Sequence, residues 1–561
     1  MFSHTLKKTL VRNSTQRGLS TAFSSPRSSY SFRSHPKKYI FGGLFTAGAL
    51  AYATNDEFHD GVRHTYLTLG RVSVVAGATV RCFWQYKRTL GKEYETNTEK
   101  HQAMSKCHKK CAEITLKALE KNGGIYIKLG QHISAMTYLF PPEWTSTMRP
   151  LEDKCPESSF EEIDEMFKHD WGHSIDELFA EFDKKPIGAA SLAQVHIARL
   201  KNGEKVAVKC QHPSLKEFVP LDIFLTQTVF AALDRVFPEY PLVWLGEELQ
   251  ESIYVELDFR NEAKNARRTS EYFSNFQHNT ALRVPNVIKS TNRILVMEFI
   301  GGERLDNTEF MDKNGINRSE VSACLSHTFN NMVFTPGVGV HCDPHGGNLA
   351  IRRKPADGNP SNPFNFEIIL YDHGLYRDVP TELRTDYAKF WLAMIARDQE
   401  TMKKYAKKFA NIDDAQFPVL AAAITGRDIN TALNYDIKKV RDDDEIERMK
   451  YALTEGELLT DLMIILSRVP RVVLLIMKTN DLTRHLDEVL KNPLGPERTF
   501  LILSKYAANA VYQDDLRKAM QESFWRRYVD ILKAWCHYKE IAGKLYVYDF
   551  VMWIKNWFTR V

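Results

Sequence analysis

Hydrophobic residues recur at helical intervals in some stretches of this chain and at strand intervals in others, and the order of the two sets out an architecture. Over 61–100, apolar side chains (Val72, Val75, Val80, Trp84) interleave with Arg71, Arg81, Lys87 and Arg88, the pattern of a helix that lies near a membrane surface or packs on a folded body. Helix is expected over 101–140, interrupted at Asn122-Gly123-Gly124 and stopped by Pro141-Pro142. Helical spacing returns over 157–181, with Ile163, Met166 and Phe167 joined through Gly172 to Ile175, Leu178 and Phe179. Two β-rich runs, Pro186 to Leu200 and Lys205 to Lys209, then flank Asn202-Gly203 and predict a hairpin. Another strand, Arg293 to Phe299, runs into a linker containing Gly301, and beyond about 317 the pattern is helical apart from 336–378. A small sheet-containing lobe, a hinge and a larger helical lobe follow from this order, an α+β bilobal fold. The apolar runs Leu462–Leu466 and Val472–Met477 are too short to cross a bilayer, which takes about 20 residues, and are expected in the core.

Charge changes the picture at the start of the chain. Residues 1–55 carry eight Lys or Arg and no Asp or Glu, so the net charge of +5 belongs to this segment. The remainder, 67 basic against 70 acidic side chains, sits near −3. A basic, Ser-rich, acid-free leader has the composition of a mitochondrial transit peptide, expected over 1–38. The uncharged segment 39–54 reads as a single transmembrane helix, and its flanks, Lys37-Lys38 against Asp56-Glu57, orient the following body toward the intermembrane space. The 561 residues then divide into a helical N-terminal extension over 55–150, an N-lobe over 151–300, a C-lobe over 301–500 and aromatic, basic helices over 501–561. The dense aromatics from Phe524 to Phe558 suit a membrane interface or a helix packed back on the lobe. Cys107 and Cys111 are one helical turn apart, but no second pair completes a zinc site, and two unrelated thiols explain the spacing.

The chemistry lies in segments far apart in sequence. Lys209 closes a strand in which Val206 and Val208 alternate, where its ammonium can reach the α and β phosphates of a nucleotide if a helical acid steadies it; Glu262 is the candidate acid. His341 to Asn348 has the H-x-D-x-x-x-x-N spacing of a phosphotransferase catalytic loop, and Tyr371-Asp372-His373-Gly374 follows an apolar strand. In that pattern Asp343 orients or deprotonates an attacking hydroxyl, while Asn348 and Asp372 offer the oxygen donors that Mg2+ prefers. His341 is expected to brace the loop; His345 and His373 serve structure or touch phosphate. Gly188-Ala189-Ala190-Ser191 stands where a glycine-rich loop would cover the nucleotide, although these small residues equally suit close strand packing. Glu298, where the strand enters the glycine linker, joins the nucleotide-binding set.

These segments resemble the UbiB, or aarF-domain-containing, family of atypical kinases over residues 110–490. The resemblance rests on the K-x-G-Q element (Lys128 to Gln131), the alanine-rich loop, the Val-Ala-Val-Lys209 strand, the E-x-D element (Glu256 to Asp258), and the Asp-Pro-His loop with its Asp-x-Gly partner. It implies a protein-kinase-like fold whose N-terminal extension covers the active site, with Lys128 and Gln131 entering the cleft to meet Glu256 and Asp258. Three departures stand out: Gly188 in place of alanine, Cys342 and Gly346 in the catalytic loop, and His373 in place of the phenylalanine of Asp-Phe-Gly. None removes a metal ligand or the general base. The function so implied is that of an ATP- and Mg2+-dependent kinase or ATPase of the inner mitochondrial membrane, in coenzyme Q or membrane-lipid homeostasis. Its expected partners are that membrane and lipid or coenzyme Q pathway components, with no nucleic acid. The alternative is a nucleotide-sensing scaffold or lipid-binding module that transfers no phosphate; an ordinary protein kinase is disfavoured by Lys128 to Gln131.

Overall fold

The computed structural model describes residues 56–136, 140–153, 155, 157–238, 242–342, 346–434, 444–445, 465, 468–492 and 496–559. The leader expected over 1–38 and the span over 39–54 lie outside them; among the described residues no helix is long and apolar enough to cross a membrane. The chain divides into two compact units, residues 1–69 and 70–561. Of the first, the described part is the start of a helix, Asp56–Leu90, where the Thr65 hydroxyl donates back to the Gly61 carbonyl at 2.8 Å. All else concerns the second.

The remainder of that helix packs on the body, as one of the two sequence readings required. Arg71 donates from Nε to Asp222 at 2.8 Å and lies 4.9 Å from the Phe218 ring, while Ala78 and Cys82 are buried. The next helix, Asn97–Asn122, begins at Thr96, whose side chain accepts from the Glu99 amide. It ends at the expected break, because Gly123 and Gly124 both take positive φ (64° and 56°), a conformation that glycine adopts without strain. Cys107 and Cys111 are buried on it beside Cys82, and all eight cysteines are free thiols. Among the described residues no group of His, Cys, Asp and Glu is arranged to hold a metal.

The small lobe is built on a six-stranded antiparallel sheet. The hairpin expected at Asn202-Gly203 forms, with Gly203 at φ 90°, and sets Ala193–Leu200 against Lys205–Gln211 in a register that pairs Val195 with Lys209. Ile294–Glu298 pairs on the other side, Lys209 opposite Leu295. Strand alternation gives the sheet two faces. Val206, Val208, Ile294 and Val296 pack against Ile163, Met166 and Phe167 of the Phe160–Trp171 helix, whereas Leu295 meets Phe259 and Ala263 on the face that carries Lys209. The Phe160–Trp171 helix is fixed at both ends, by a Ser159/Glu162 capping box and by Gly172 in the left-handed conformation.

The second lobe is helical, as its spacing predicts, around Thr381–Ala396, Gln399–Ala410, Arg471–Val489 and Pro496–Ala519, with Tyr387, Phe390, Phe409 and Phe417 in its core. Val473, Leu474, Ile476 and Met477 from the second short apolar run are buried there. Sheet interrupts the helices within 336–378. Leu349–Arg353 pairs antiparallel with Phe366–Leu370, and Val340–His341 with Tyr376–Arg377. The class is therefore α+β and bilobal, with a helical extension in front of the small lobe.

A buried ion pair ties the small lobe's helix to its sheet. Arg293 donates to Asp170 at 2.7 Å from Nε and at 2.5 Å from Nη2, with both side chains under a tenth exposed. Arg293→Met removes the guanidinium from Asp170 and leaves its carboxylate to the His169 ring at 2.7 Å, and a loss of about 3 kcal/mol is expected in denaturant unfolding. The double variant Arg293→Met/Asp170→Leu should recover most of it.

Candidate active site

The site forms where the Lys209 face of the small sheet meets a helix from the same lobe and a turn from the other. The helix is Phe259–Ser274; Asp258 caps it, accepting from the Arg260 amide at 3.1 Å, and Phe259, Ala263, Ala266 and Phe273 form its buried stripe. Glu262 lies on the same side and is itself buried. Its two oxygens accept from Lys209 Nζ at 2.7 and 2.9 Å, the ammonium 5.3 Å from the Phe259 ring. Across the cleft Asp372 Oδ2 lies 3.4 Å from the same ammonium. The acid expected from the sequence to steady Lys209 is therefore the one that does so.

Asp372 is held by its own turn and by the neighbouring ribbon. Its Oδ1 accepts from the Gly374 amide at 2.7 Å, and its carbonyl bonds His341 Nε2 at 2.9 Å, so His341 braces the Asp372 turn, whereas the sequence places its bracing within the loop that holds Asp343. Asn348 ends the 3-10 turn Gly346–Asn348, and its carbonyl accepts from the Tyr371 amide at 3.0 Å. Leu349 stands opposite Leu370 in the register that follows, so Asn348 and Asp372 come to the same end of one strand pair. Asp343 and His345 lie outside the described residues. His373 resolves to a structural role: it is buried, bonds the Tyr376 hydroxyl at 3.0 Å and the Leu370 carbonyl at 3.2 Å, and stacks on Tyr376. Burial lowers its pKa to about 3, which keeps the ring neutral.

One ammonium stands between two carboxylates, and the surplus charge is shared unequally. Burial alone would raise Asp372, but the Lys209 charge and the Gly374 N–H outweigh it and hold the carboxyl well below the usual range. For Glu262 burial wins, helped by Asp372 and Glu256 and opposed by Lys209, and its pKa rises to about 7. Lys209 is held well above its ordinary value, because Asp372 and Glu262 together overcome its burial.

The extension reaches this cluster. Lys128 lies on the short helix Ile125–Ala135, and its Nζ is 3.0 Å from Glu256 Oε2, with both side chains largely buried. Glu256 in turn lies beside Gly374, where an added Cβ would sit 3.7 Å from its Cγ. The implied meeting of Lys128 with the E-x-D element thus holds for Glu256. It needs correction for Asp258, which takes up Arg260, Nε at 2.8 Å and Nη2 at 2.7 Å, while capping the helix. Gln131 is also corrected: its amide nitrogen donates to the Leu151 carbonyl at 3.0 Å and its oxygen accepts from Ser191 Oγ at 3.2 Å. The extension therefore grips the alanine-rich loop with one residue and the base of the cleft with another.

That loop is a tight turn. Gly188 and Ala189 pair with Val195 and Gln194, the Ala190 amide donates to the Ala193 carbonyl at 2.7 Å, and His212 Nε2 bonds the Ala190 carbonyl at 3.0 Å. Gly188 is exposed with nothing within 4 Å of an added Cβ, so alanine fits there and the departure from the family pattern carries no steric meaning. Glu298 is placed elsewhere than expected. It shares the core face of the sheet with Val296, opposite the Lys209 face, and its carboxylate accepts from Arg283 Nη2 at 2.7 and 2.6 Å. The pairing register, Val206 opposite Glu298 and Lys209 opposite Leu295, sets that face, and alternation within either strand does not give it.

Sequence reading missed a clasp between the lobes. Arg377 reaches Glu248 and Glu251 at 3.3 and 3.1 Å, and Arg471 reaches Glu247 and Glu251 at 2.9 and 2.6 Å, all three acids on the Val243–Glu256 helix that ends in Glu256. Their clustering on that helix is legible in the sequence; their arginine partners, more than a hundred residues away, are not.

A lysine on the small sheet paired with a helical glutamate, facing the aspartate of an Asp-x-Gly turn on a helical lobe, defines an atypical kinase-like fold. The chain belongs to the ABC1, or AarF, family: the model described as ABC1 atypical kinase-like domain matches residues 150–406. It is 60% identical over 533 residues to ABC1 family protein MCP2 of Saccharomyces cerevisiae, covering 93% of each chain. It is 45% identical to the MCP2 homolog of Schizosaccharomyces pombe, over 90% of this chain and 93% of that one, and 34% identical to AarF domain-containing protein kinase 1 of Gallus gallus, over 81% and 83%.

Gly130, between Lys128 and Gln131, lets their helix approach its neighbours; a Cβ there would collide with Leu151 Cδ1 and lie 3.1 Å from Leu119 Cδ1. Gly130→Ala is expected to destabilise by about 1–3 kcal/mol, read as a lowered thermal midpoint. Gly188→Ala should leave that midpoint within about 0.5 kcal/mol of the native value.

Proposed function

We propose that this protein is an ATP- and Mg2+-dependent phosphotransferase or ATPase, carried on the mitochondrial inner membrane and acting in coenzyme Q or membrane-lipid homeostasis. The observation that carries the reading is the Lys209 ammonium held between Glu262 and Asp372. The donor set fits a hard divalent cation: Asn348 and Asp372 offer a carbonyl and a carboxylate oxygen, and two acids share one ammonium, a deficit of positive charge that a cation would fill. Mg2+ bound there would neutralise charge on the phosphoryl group. Lys209 would clamp the α and β phosphates, steadied by Glu262, and Asp343 would orient or deprotonate the acceptor hydroxyl or water. The small side chains of Gly188 to Ser191 would let backbone N–H groups cover the nucleotide.

Lys128 on Glu256 and Gln131 on Ser191 support an acceptor smaller than a folded peptide segment, because the extension touches both the base of the cleft and the alanine-rich loop. Membrane attachment rests on composition, the acid-free leader over 1–38 and the apolar run over 39–54, with the body facing the intermembrane space. The same Lys128–Glu256 pair also favours a second reading, a nucleotide-sensing scaffold that stays closed and transfers nothing. Phosphate release in the presence of membranes separates the two.

Thermal unfolding with ATP and Mg2+ tests the site. At about 100 times its Kd the nucleotide should stabilise the native protein by about 2.7 kcal/mol, and Asp372→Asn should abolish the Mg2+-dependent part. An unchanged shift in that variant would falsify the assignment. Asp343→Asn should keep the binding shift and lower phosphate release by about two orders of magnitude. Equal turnover there would remove Asp343 from the mechanism.

A further inference from the structure

The C-terminal helix Phe524–Thr559 has two unlike faces. One packs against Pro496–Ala519: Ala534 and Leu545 are buried, Tyr538 stacks on Tyr512 at 4.7 Å, and Asp549 takes Lys505 at 2.6 Å. On the opposite face, at helical intervals, stand Trp525, Tyr528, Val529, Leu532, Tyr546 and Val547; Trp525 is 80% exposed, Leu532 61% and Tyr546 67%. These residues form two groups on one helix face, 525–532 and 546–547, which span about 33 Å at 1.5 Å per residue with Cys536, Lys539 and Gly543 between them. The large members of this stripe are mostly Trp and Tyr, whose amphipathic rings sit at the headgroup level of a bilayer. The leucine seam of a helix that pairs with another copy is absent from it.

The charges select the surface. Asp530 and Glu540 are engaged by Lys533 and Lys544 at 3.3 and 2.7 Å, whereas Arg526 and Lys539 have no carboxylate partner among the described residues; Lys539 lies 5.8 Å from the ring of Trp535, itself 47% exposed. Unbalanced cations beside interfacial aromatics complement an anionic bilayer, the arrangement of a helix lying in the interface plane.

We propose that the Trp525–Val547 face of this helix docks on an anionic phospholipid surface, laying the helical lobe on the bilayer. The proposal rests on the membrane attachment proposed above and adds a second, separable contact. Cys536 provides a native probe, since it lies on the stripe and is the exposed thiol among cysteines that are otherwise buried or half-buried. The full chain carrying Lys201→Cys, an exposed reference thiol in the hairpin turn, is reconstituted in phosphatidylcholine–phosphatidylglycerol vesicles and treated with a bulky, membrane-impermeant maleimide. Cys536 should label about fivefold or more slowly than Cys at 201, and Trp525→Glu/Leu532→Glu should restore equal rates. Protein that floats with the vesicles but labels equally at both thiols overturns this docking and leaves the attachment standing. Protein that does not float overturns the attachment and the docking together. Protection that vanishes as the protein is diluted into excess lipid assigns the face to a second copy and overturns the proposal.

Discussion

The bond between the Lys209 ammonium and the Glu262 carboxylate is the interaction on which the rest of the site depends. It joins a strand to a helix within one lobe, and through Asp372 Oδ2 at 3.4 Å it also joins that lobe to the other. Burying a charge is costly unless it is paired and hydrogen-bonded, so Lys209 and Glu262 are expensive apart and tolerable together, while the more exposed Asp372 adds a second carboxylate to the same ammonium. The cluster is one contact between the lobes, beside the Arg377 and Arg471 clasp, and it gathers two carboxylates around one ammonium.

Everything around the cluster limits its freedom. Gly374 and His341 hold Asp372 from the amide and carbonyl sides, and His373, neutral and stacked on Tyr376, fills the place of an aromatic apolar residue with hydrogen bonds at both ring nitrogens. A turn built in this way is fixed by specific polar contacts. The arginines of the second lobe that grip Glu247, Glu248 and Glu251 act on the helix ending in Glu256, so interlobe geometry and the Lys128 contact are borne by one element.

The extension works by the same economy of few, buried contacts. Its short helix starts after two glycines at positive φ, tolerates close approach through Gly130, and delivers Lys128 and Gln131 on one side. The ion pair and the amide bond it makes are to different parts of the small lobe, which ties the alanine-rich loop to the base of the cleft.

The sequence by itself determined the elements and the candidate chemistry of the site. Period-two valines with a terminal lysine, the Asn-Gly turn, the glycine breaks and the apolar helical stripes are local signals, and each formed where local backbone and burial preferences placed it. The spacing around Asn348 and Asp372 was legible for the same reason, since one strand pair brings them together. Lys209 with Glu262 and Lys128 with Glu256 pair as the sequence implied; tertiary structure decided the partners of Asp258, Gln131 and Glu298. Asp258 turned to Arg260 because it caps a helix, Gln131 reached Ser191 because the extension crosses the loop, and Glu298 fell on the face opposite Lys209 once pairing fixed the register. It also exposed the aromatic stripe of the last helix, which composition left equally suited to core or membrane, because only packing selects which face of an amphipathic helix finds a partner.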